Sequence, residues 1–176
     1  MKAVVIIVLL ALSSSGCGYA LAGRGSFLPD YIRIVGIPQL VNNSTFFQVE
    51  QTLTEKIRAE FIGRGRYTVS PAAEGADAVV TGAVTSISVQ PVGFTDQQLA
   101  SRYLFVVTMK VEFTDARTSQ VLWSNSALTF REEYELSTRS NTALEGATFL
   151  TQERSSFDRI ADDVARTVVT AIVEAF

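Results

Sequence analysis

The stretch from Arg102 to Asp115 alternates strictly in polarity, and a chain that carries it has to build a sheet. Tyr103, Phe105, Val107, Met109, Val111 and Phe113 fall on one face, while Arg102, Leu104, Val106, Thr108, Lys110 and Glu112 fall on the other. Period-two alternation over this length defines a strand with one buried face. Its apolar side needs a covering layer, and two amphipathic segments are available to supply it. One follows Asn42-Asn43-Ser44-Thr45, a turn and cap cluster in which Thr45 and Gln48 have the form of a capping box; it presents Phe46, Val49, Leu53, Ile57 and Phe61 at helical spacing and stops at Gly63 and Gly65. The second runs from about Leu150 to Glu174, with Phe157, Ile160, Ala161, Val164, Val168 and Ile172 as its stripe and Asp158, Arg159, Asp162, Asp163 and Arg166 on its wet side.

The other strands are less regular. Tyr31 to Pro38 is apolar on both faces and β-branched, as an interior strand is, and Pro38 closes it. Tyr67 to Pro71 reads as a short strand or a connector. Val79 to Gln90 alternates imperfectly around Thr81, Gly82 and Thr85, which suggests a bulge. Pro91 to Asp96 reads as a loop with an apolar tip, Asp115 to Gln120 as a hairpin loop, and Val121 to Leu136 as the return strand, with a second bulge or twist after Asn125. The expected fold is therefore α+β: a two-layer sandwich of a four-stranded mixed sheet with two helices packed on one face, in the order β-α-β-β-β-α. The first strand, helix and second strand form a crossover, and the last three strands a meander.

Ahead of this domain the chain reads as an export signal. Lys2 precedes an unbroken apolar run, Ala3 to Leu12, which is shorter than the ~20 residues that span a bilayer and within the ~7–15 of a signal h-region. Small residues Ser13 to Gly16 then lead to Cys17, the one cysteine of the chain. The arrangement resembles the bacterial lipobox, with Ser14 where that pattern prefers leucine. It implies residues 1–16 as a signal peptide, lipidation of Cys17, a Gly-rich tether over 17–30 and a single domain over 31–176. Two or more acyl chains hold a protein stably on a membrane where one does not. Gly18 after the cysteine stands where lipoproteins retained in the inner membrane carry Asp, so the outer membrane is the expected address.

Composition limits what such a domain can do. Net charge is −3, which gives nucleic-acid binding no support, and the chain has no histidine, which removes the commonest general base and metal ligand. No nucleophile elbow or metal-ligand spacing is visible. The carboxylates at Glu132-Glu133-Glu135 and Asp162-Asp163 read as solvated faces. No catalytic residue, metal or cofactor is expected.

Cys17-Gly18-Tyr19 and Ile37-Pro38-Gln39-Leu40-Val41-Asn42-Asn43-Ser44 resemble the LptE family of lipopolysaccharide-assembly lipoproteins, whose signature before the first helix runs Ile-Pro-x-Phe-x-Asn-x-Thr. Leu40 and Ser44 depart from it. The resemblance covers the mature chain in its order of elements. It implies a non-enzymatic lipoprotein on the periplasmic side of the outer membrane, held there through acylated Cys17. Such a protein plugs an LptD-like β-barrel one-to-one, helps that barrel assemble and binds lipopolysaccharide in transit. Other exported lipoproteins, including the CsgG type, carry similar patterns, and a CsgG-like or pilotin-like lipoprotein serving a secretion pore forms the alternative reading; a periplasmic enzyme is a third.

The sheet face away from the helices is the expected lipid-binding surface, because it sets Arg102 and Lys110 beside Leu104 and Val106, cation beside apolar surface, with Arg131 as a further candidate. The bland reading is a solvated face of mixed charge. Val92 and Phe94 are the expected partner contacts, unless Phe94 folds back onto its own core. Trp123 and Tyr134 read as core or hairpin pairs.

Overall fold

A computed structural model of the chain describes residues 28–96, 98–135 and 145–175. The signal peptide, Cys17 and most of the tether lie outside them, as do residues 136–144 between the return strand and the second helix. The elements are β1 (Ile34–Gly36), β2 (Val41–Asn42), α1 (Val49–Gly63), β3 (Thr68–Ser70), β4 (Ala78–Phe94), β5 (Ala100–Asp115), β6 (Val121–Glu135) and α2 (Glu145–Val173). The class is α+β, as expected, but the mixed sheet has six strands and not four. The two additions are β2 and β3, of two and three residues. Segments that short cannot display a period-two pattern.

The sheet order is β3-β1-β4-β5-β6, with β2 also paired to β4. β1 is parallel to both β3 and β4, so it is an interior strand flanked by two partners. Strands β4, β5 and β6 form the antiparallel meander. Both expected irregularities are present. The β4–β5 register slips between Val84 and Ser86, and Thr85 there donates its hydroxyl to the Thr108 carbonyl at 2.9 Å. The β5–β6 register slips between Met109 and Val111, opposite Leu128 and Asn125.

The segment 91–94 is a correction. It belongs to β4 and pairs with Ala100 to Tyr103 on β5, leaving only Thr95 to Leu99 as the turn. Pro91 is tolerated because β2 pairs with β4 only as far as Val84. Beyond that point β4 is an edge strand, and a proline there costs no ladder bond on the solvent side.

Phe105, Val107, Met109, Val111 and Phe113 of β5 are all buried, and the α1 and α2 stripes close over them. Burying side chains of this size is worth about 1.5–3 kcal/mol each, so this face of one strand anchors the core. On α2, Ala165, Val169 and Val173 are buried beside the expected stripe, because α2 packs against α1 as well as against β5 and β6. The helix also begins at Glu145, earlier than its visible periodicity. Lys56 to Asp162 at 2.7 Å and Arg64 to Thr170 at 2.6 Å link the two helices along their solvent edge.

The entry to α1 differs from the capping box. Gln48 is the N-cap, at φ 64°, and makes no side-chain cap bond. The turn is instead organised by Asn42. Its Oδ1 accepts from the Ser44 backbone N–H and hydroxyl, and its Nδ2 donates to the Phe46 carbonyl at 2.6 Å and to Glu50 at 2.9 Å. Phe46 therefore precedes the helix and packs edge-on against Phe105 at 5.7 Å. Upstream, the Arg58 guanidinium grips the Ile37 carbonyl, and the Leu40 N–H donates to the buried Thr54 hydroxyl. The Ile-Pro signature is thus a folding device that docks β1 and β2 onto α1. Ser44 keeps the hydroxyl that its turn uses, and Leu40 is buried.

Candidate functional site

The helices cover one face of the sheet, and the register fixes what lies on the other. Arg131 sits opposite Val106, Glu133 opposite Leu104 and Glu135 opposite Arg102. Arg102, Lys110 and Arg131 therefore share the face away from the helices, as the alternation of β5 predicts. They do not converge. Eight residues of strand separate Arg102 from Lys110, about 27 Å at ~3.4 Å per residue, with Arg131 near the midpoint. Half-buried Leu104 and Val106 lie between them. The arrangement is a row of cations along an apolar strip. It suits an extended amphiphile with several negative charges better than a single small anion.

The three cations are not equivalent. Arg102 pairs with Glu133 at 3.8 Å, an exposed and weak contact. Lys110 lines a shallow depression of about 150 Å³ with Glu112, Ser124, Asn125 and Ser126, where the β6 bulge opens the surface. Among the described residues neither Lys110 nor Arg131 has an ion-pair partner. Most of the carboxylates read from sequence as solvated faces are engaged: Glu132 holds Arg159 at 2.7 Å, Asp162 holds Lys56 at 2.7 Å, Asp163 meets Arg166 at 3.4 Å, and Glu133 is the Arg102 partner.

Val92 and Phe94 stand at the far end of the β4–β5 hairpin with 41% and 62% of their surface exposed, so Phe94 is not folded back onto the core. Leu99, 55% exposed, joins them across the turn and was not among the residues singled out by sequence. Trp123 pairs with Phe113 and Tyr134 stacks on Tyr103 at 5.7 Å, both on the helix-facing side, so they belong to the core and the hairpin pairing.

Sequence reasoning missed a cavity on the helix side. Phe46, Phe47, Val49, Phe105 and Phe157 wall about 490 Å³, with Glu153 and Arg154 at its rim. Burial raises the Glu153 carboxyl above the usual carboxylate range. The adjacent phenylalanines 46 and 47 were the available signal: one fits the helical stripe and the other cannot.

Among the described residues no helix is long and apolar enough to cross a membrane, and no cluster of three or more metal-ligating side chains occurs. No curated protein matches the chain in sequence. Solved structures do match. Lipoprotein B from Nitrosomonas europaea superposes with a TM-score of 0.55 at 16% identity, covering 90% of this chain and 94% of that one. A minor lipoprotein from Acinetobacter baumannii gives 0.53 at 14% identity, covering 82% and 93%. Rare lipoprotein B from Shewanella oneidensis gives 0.50 at 12% identity, covering 78% and 96%. At these identities the likeness carries the fold alone, and that fold is one shared by lipoproteins. The sequence profile of the LptE lipopolysaccharide-assembly family matches residues 33–174. The chain belongs to that family.

Proposed function

We propose that this lipopolysaccharide-assembly protein works at the outer membrane as the lipid-anchored, one-to-one partner and plug of an LptD-like β-barrel. In this reading it helps the barrel fold and contacts lipopolysaccharide through the uncovered sheet face. It is anchored on the periplasmic side through acylated Cys17, and it acts by binding, without catalysis. The observation that carries the reading is the family match across the whole α+β domain. A mixed cationic and apolar face, left open by both helices, supports the lipid contact.

The test is purification of the intact lipoprotein from detergent-solubilised outer membrane. The expected result is a stoichiometric complex with one large barrel protein, and Cys17→Ser releases the protein from the membrane fraction. Recovery as a free monomer, or as a self-associated ring of the secretion-pore kind, overturns the reading.

A further inference from the structure

The helix-side cavity lies in the opposite layer from the cationic sheet face, since Phe105 points towards the helices while Arg102 and Arg131 point away. Its volume of about 490 Å³ is more than one amino-acid side chain fills. It also falls within the ~300–1,000 Å³ of ligand pockets, which are lined mainly by apolar and aromatic groups with few polar ones.

Its walls are held in place. Asn42 binds the Phe46 carbonyl, and the Ser44 hydroxyl accepts from the Phe46 N–H at 3.3 Å. Gln48 then takes φ 64°, a conformation uncommon outside glycine. This turn lodges Phe46 against Phe105 and leaves Phe47 93% exposed at the cavity wall. A phenylalanine left in water forgoes most of the free energy that burying its ring would release. A backbone held in a rarely populated region beside it is the kind of local cost that collects at ligand sites.

The rim supplies the polarity. Arg154 is exposed and has no ion-pair partner among the described residues. Beside it, Glu153 is half-buried, and that burial raises its carboxyl. An apolar cavity with one uncommitted cation at its mouth matches an amphiphile, with alkyl chain inside and anion outside.

We infer that this cavity takes one acyl chain of lipopolysaccharide, with a head-group phosphate on Arg154. The identity of the lipid rests on the function proposed above; the cavity is a second contact, separate from the sheet face.

The test uses the full chain in cells, with Phe47→p-benzoylphenylalanine as a photo-probe. Irradiation is expected to give an adduct that carries lipopolysaccharide, identified by antibody and by mass. Val49→Trp and Phe157→Trp each obstruct the cavity, from two different elements, so a folding failure of one leaves the other. Each is expected to reduce the adduct at least fivefold, as is the surface change Arg154→Glu. A lipopolysaccharide adduct that neither obstructing variant reduces overturns the assignment. So does an adduct to glycerophospholipid or protein alone, or no adduct. Barrel co-purification is scored in the same cells, so loss of the cavity assignment with the barrel retained is distinct from failure of the assembly reading.

Discussion

Arg102 lies over Gly93: a Cβ built on the glycine would sit 2.6 Å from the arginine Nε and 3.2 Å from Cζ. The two residues pair across β4 and β5, so a bare backbone on one strand makes room for a cation on the next. The guanidinium is the end of a flexible side chain and can swing away, whereas the Arg102 Cβ, 3.1 Å from the added methyl, has to give by a few tenths of an ångström. Gly93→Ala is therefore expected to cost no more than about 1 kcal/mol. Gly82 is the contrast, because its Cβ would meet the Lys110 backbone oxygen at 2.7 Å and the Leu40 side chain at 3.0 Å. A ladder carbonyl cannot move aside, and Gly82→Ala is expected to cost about 1–3 kcal/mol. Chemical denaturation of both variants checks the difference.

The Leu40 N–H and the Thr54 hydroxyl form a second dependency. The hydroxyl accepts from Leu40 at 3.0 Å and donates to the Glu50 carbonyl at 2.5 Å, and Thr54 is buried. Thr54→Val keeps the shape but strands a buried donor, which costs about 1–3 kcal/mol. Thr54→Ser keeps the hydroxyl and is expected to restore most of that loss. Equal destabilisation by both variants would show that packing of the methyl group, and not the hydrogen bond, holds this junction.

Two aspartates tie the β5–β6 hairpin end to the start of the domain. Asp115, 2% exposed, accepts from the Tyr31 hydroxyl at 2.7 Å and from the backbone of Arg117 and Thr118. Asp77 accepts from the Ile34 and Arg33 N–H groups. The Tyr31 hydrogen bond above all lowers the Asp115 carboxyl, and the two backbone bonds, Ile34 first, lower Asp77. A carboxyl lowered in the folded state stabilises it fully above the unfolded value of about 3.9. That contribution is lost as pH falls from there through the folded value. Acid unfolding is therefore expected below about pH 4, with a shallower acid limb in Asp77→Asn and Asp115→Asn. Tyr31→Phe should raise the Asp115 carboxyl in a carbon-13 titration, and an unmoved resonance refutes the assignment.

The cationic row gives a binding prediction. Arg102→Glu with Lys110→Glu reverses two exposed charges without touching the core, so the melting temperature should hold within a few degrees. Charged hydrogen bonds are worth about 1.5–3 kcal/mol, so losing one weakens lipopolysaccharide binding about tenfold or more. Arg102 is already shared with Glu133, so Lys110→Glu alone is expected to account for more of the loss than Arg102→Glu alone. Unchanged affinity in the double variant removes the sheet face from the lipid pathway.

What the sequence shows and hides here has a physical pattern. The long alternation of β5 and the stripe of α2 were legible because each repeats its period several times. β2 was hidden and β3 stayed ambiguous between strand and connector, because two or three residues complete no period. The Thr45–Gln48 capping box does not form: Gln48 is itself the N-cap and makes no side-chain cap bond, and Asn42 orders the turn ahead of the helix by donating to the Phe46 carbonyl and the Glu50 carboxylate. Pro91 read as a terminator because the edge position of β4 beyond Val84 is a property of the sheet. The cations of the open face followed directly from alternation. The aromatic cavity did not, since its walls come from the α1 entry, β5 and α2 together.

The end of the β4–β5 hairpin carries the last prediction. Val92, Phe94 and Leu99 are exposed there, and Phe94 lies opposite Ala100 at the edge of the ladder. The Tyr31–Asp115 junction marks the other end of β5, about 50 Å away at ~3.4 Å per residue. The described chain begins beside that junction, where the Leu28 N–H donates to the Tyr67 hydroxyl. The apolar tip thus stands at the end of the sheet away from the start of the described chain. The lumen of a membrane β-barrel is mostly polar, so under the proposed function the tip would dock on an apolar patch of the barrel protein. Phe94→Ser with Leu99→Ser removes the apolar tip without opening a core cavity, so stability is expected to change by less than about 1 kcal/mol. Recovery of the barrel complex from outer membrane should fall severalfold. Full recovery of the complex in that double variant would mean the tip is not a barrel contact.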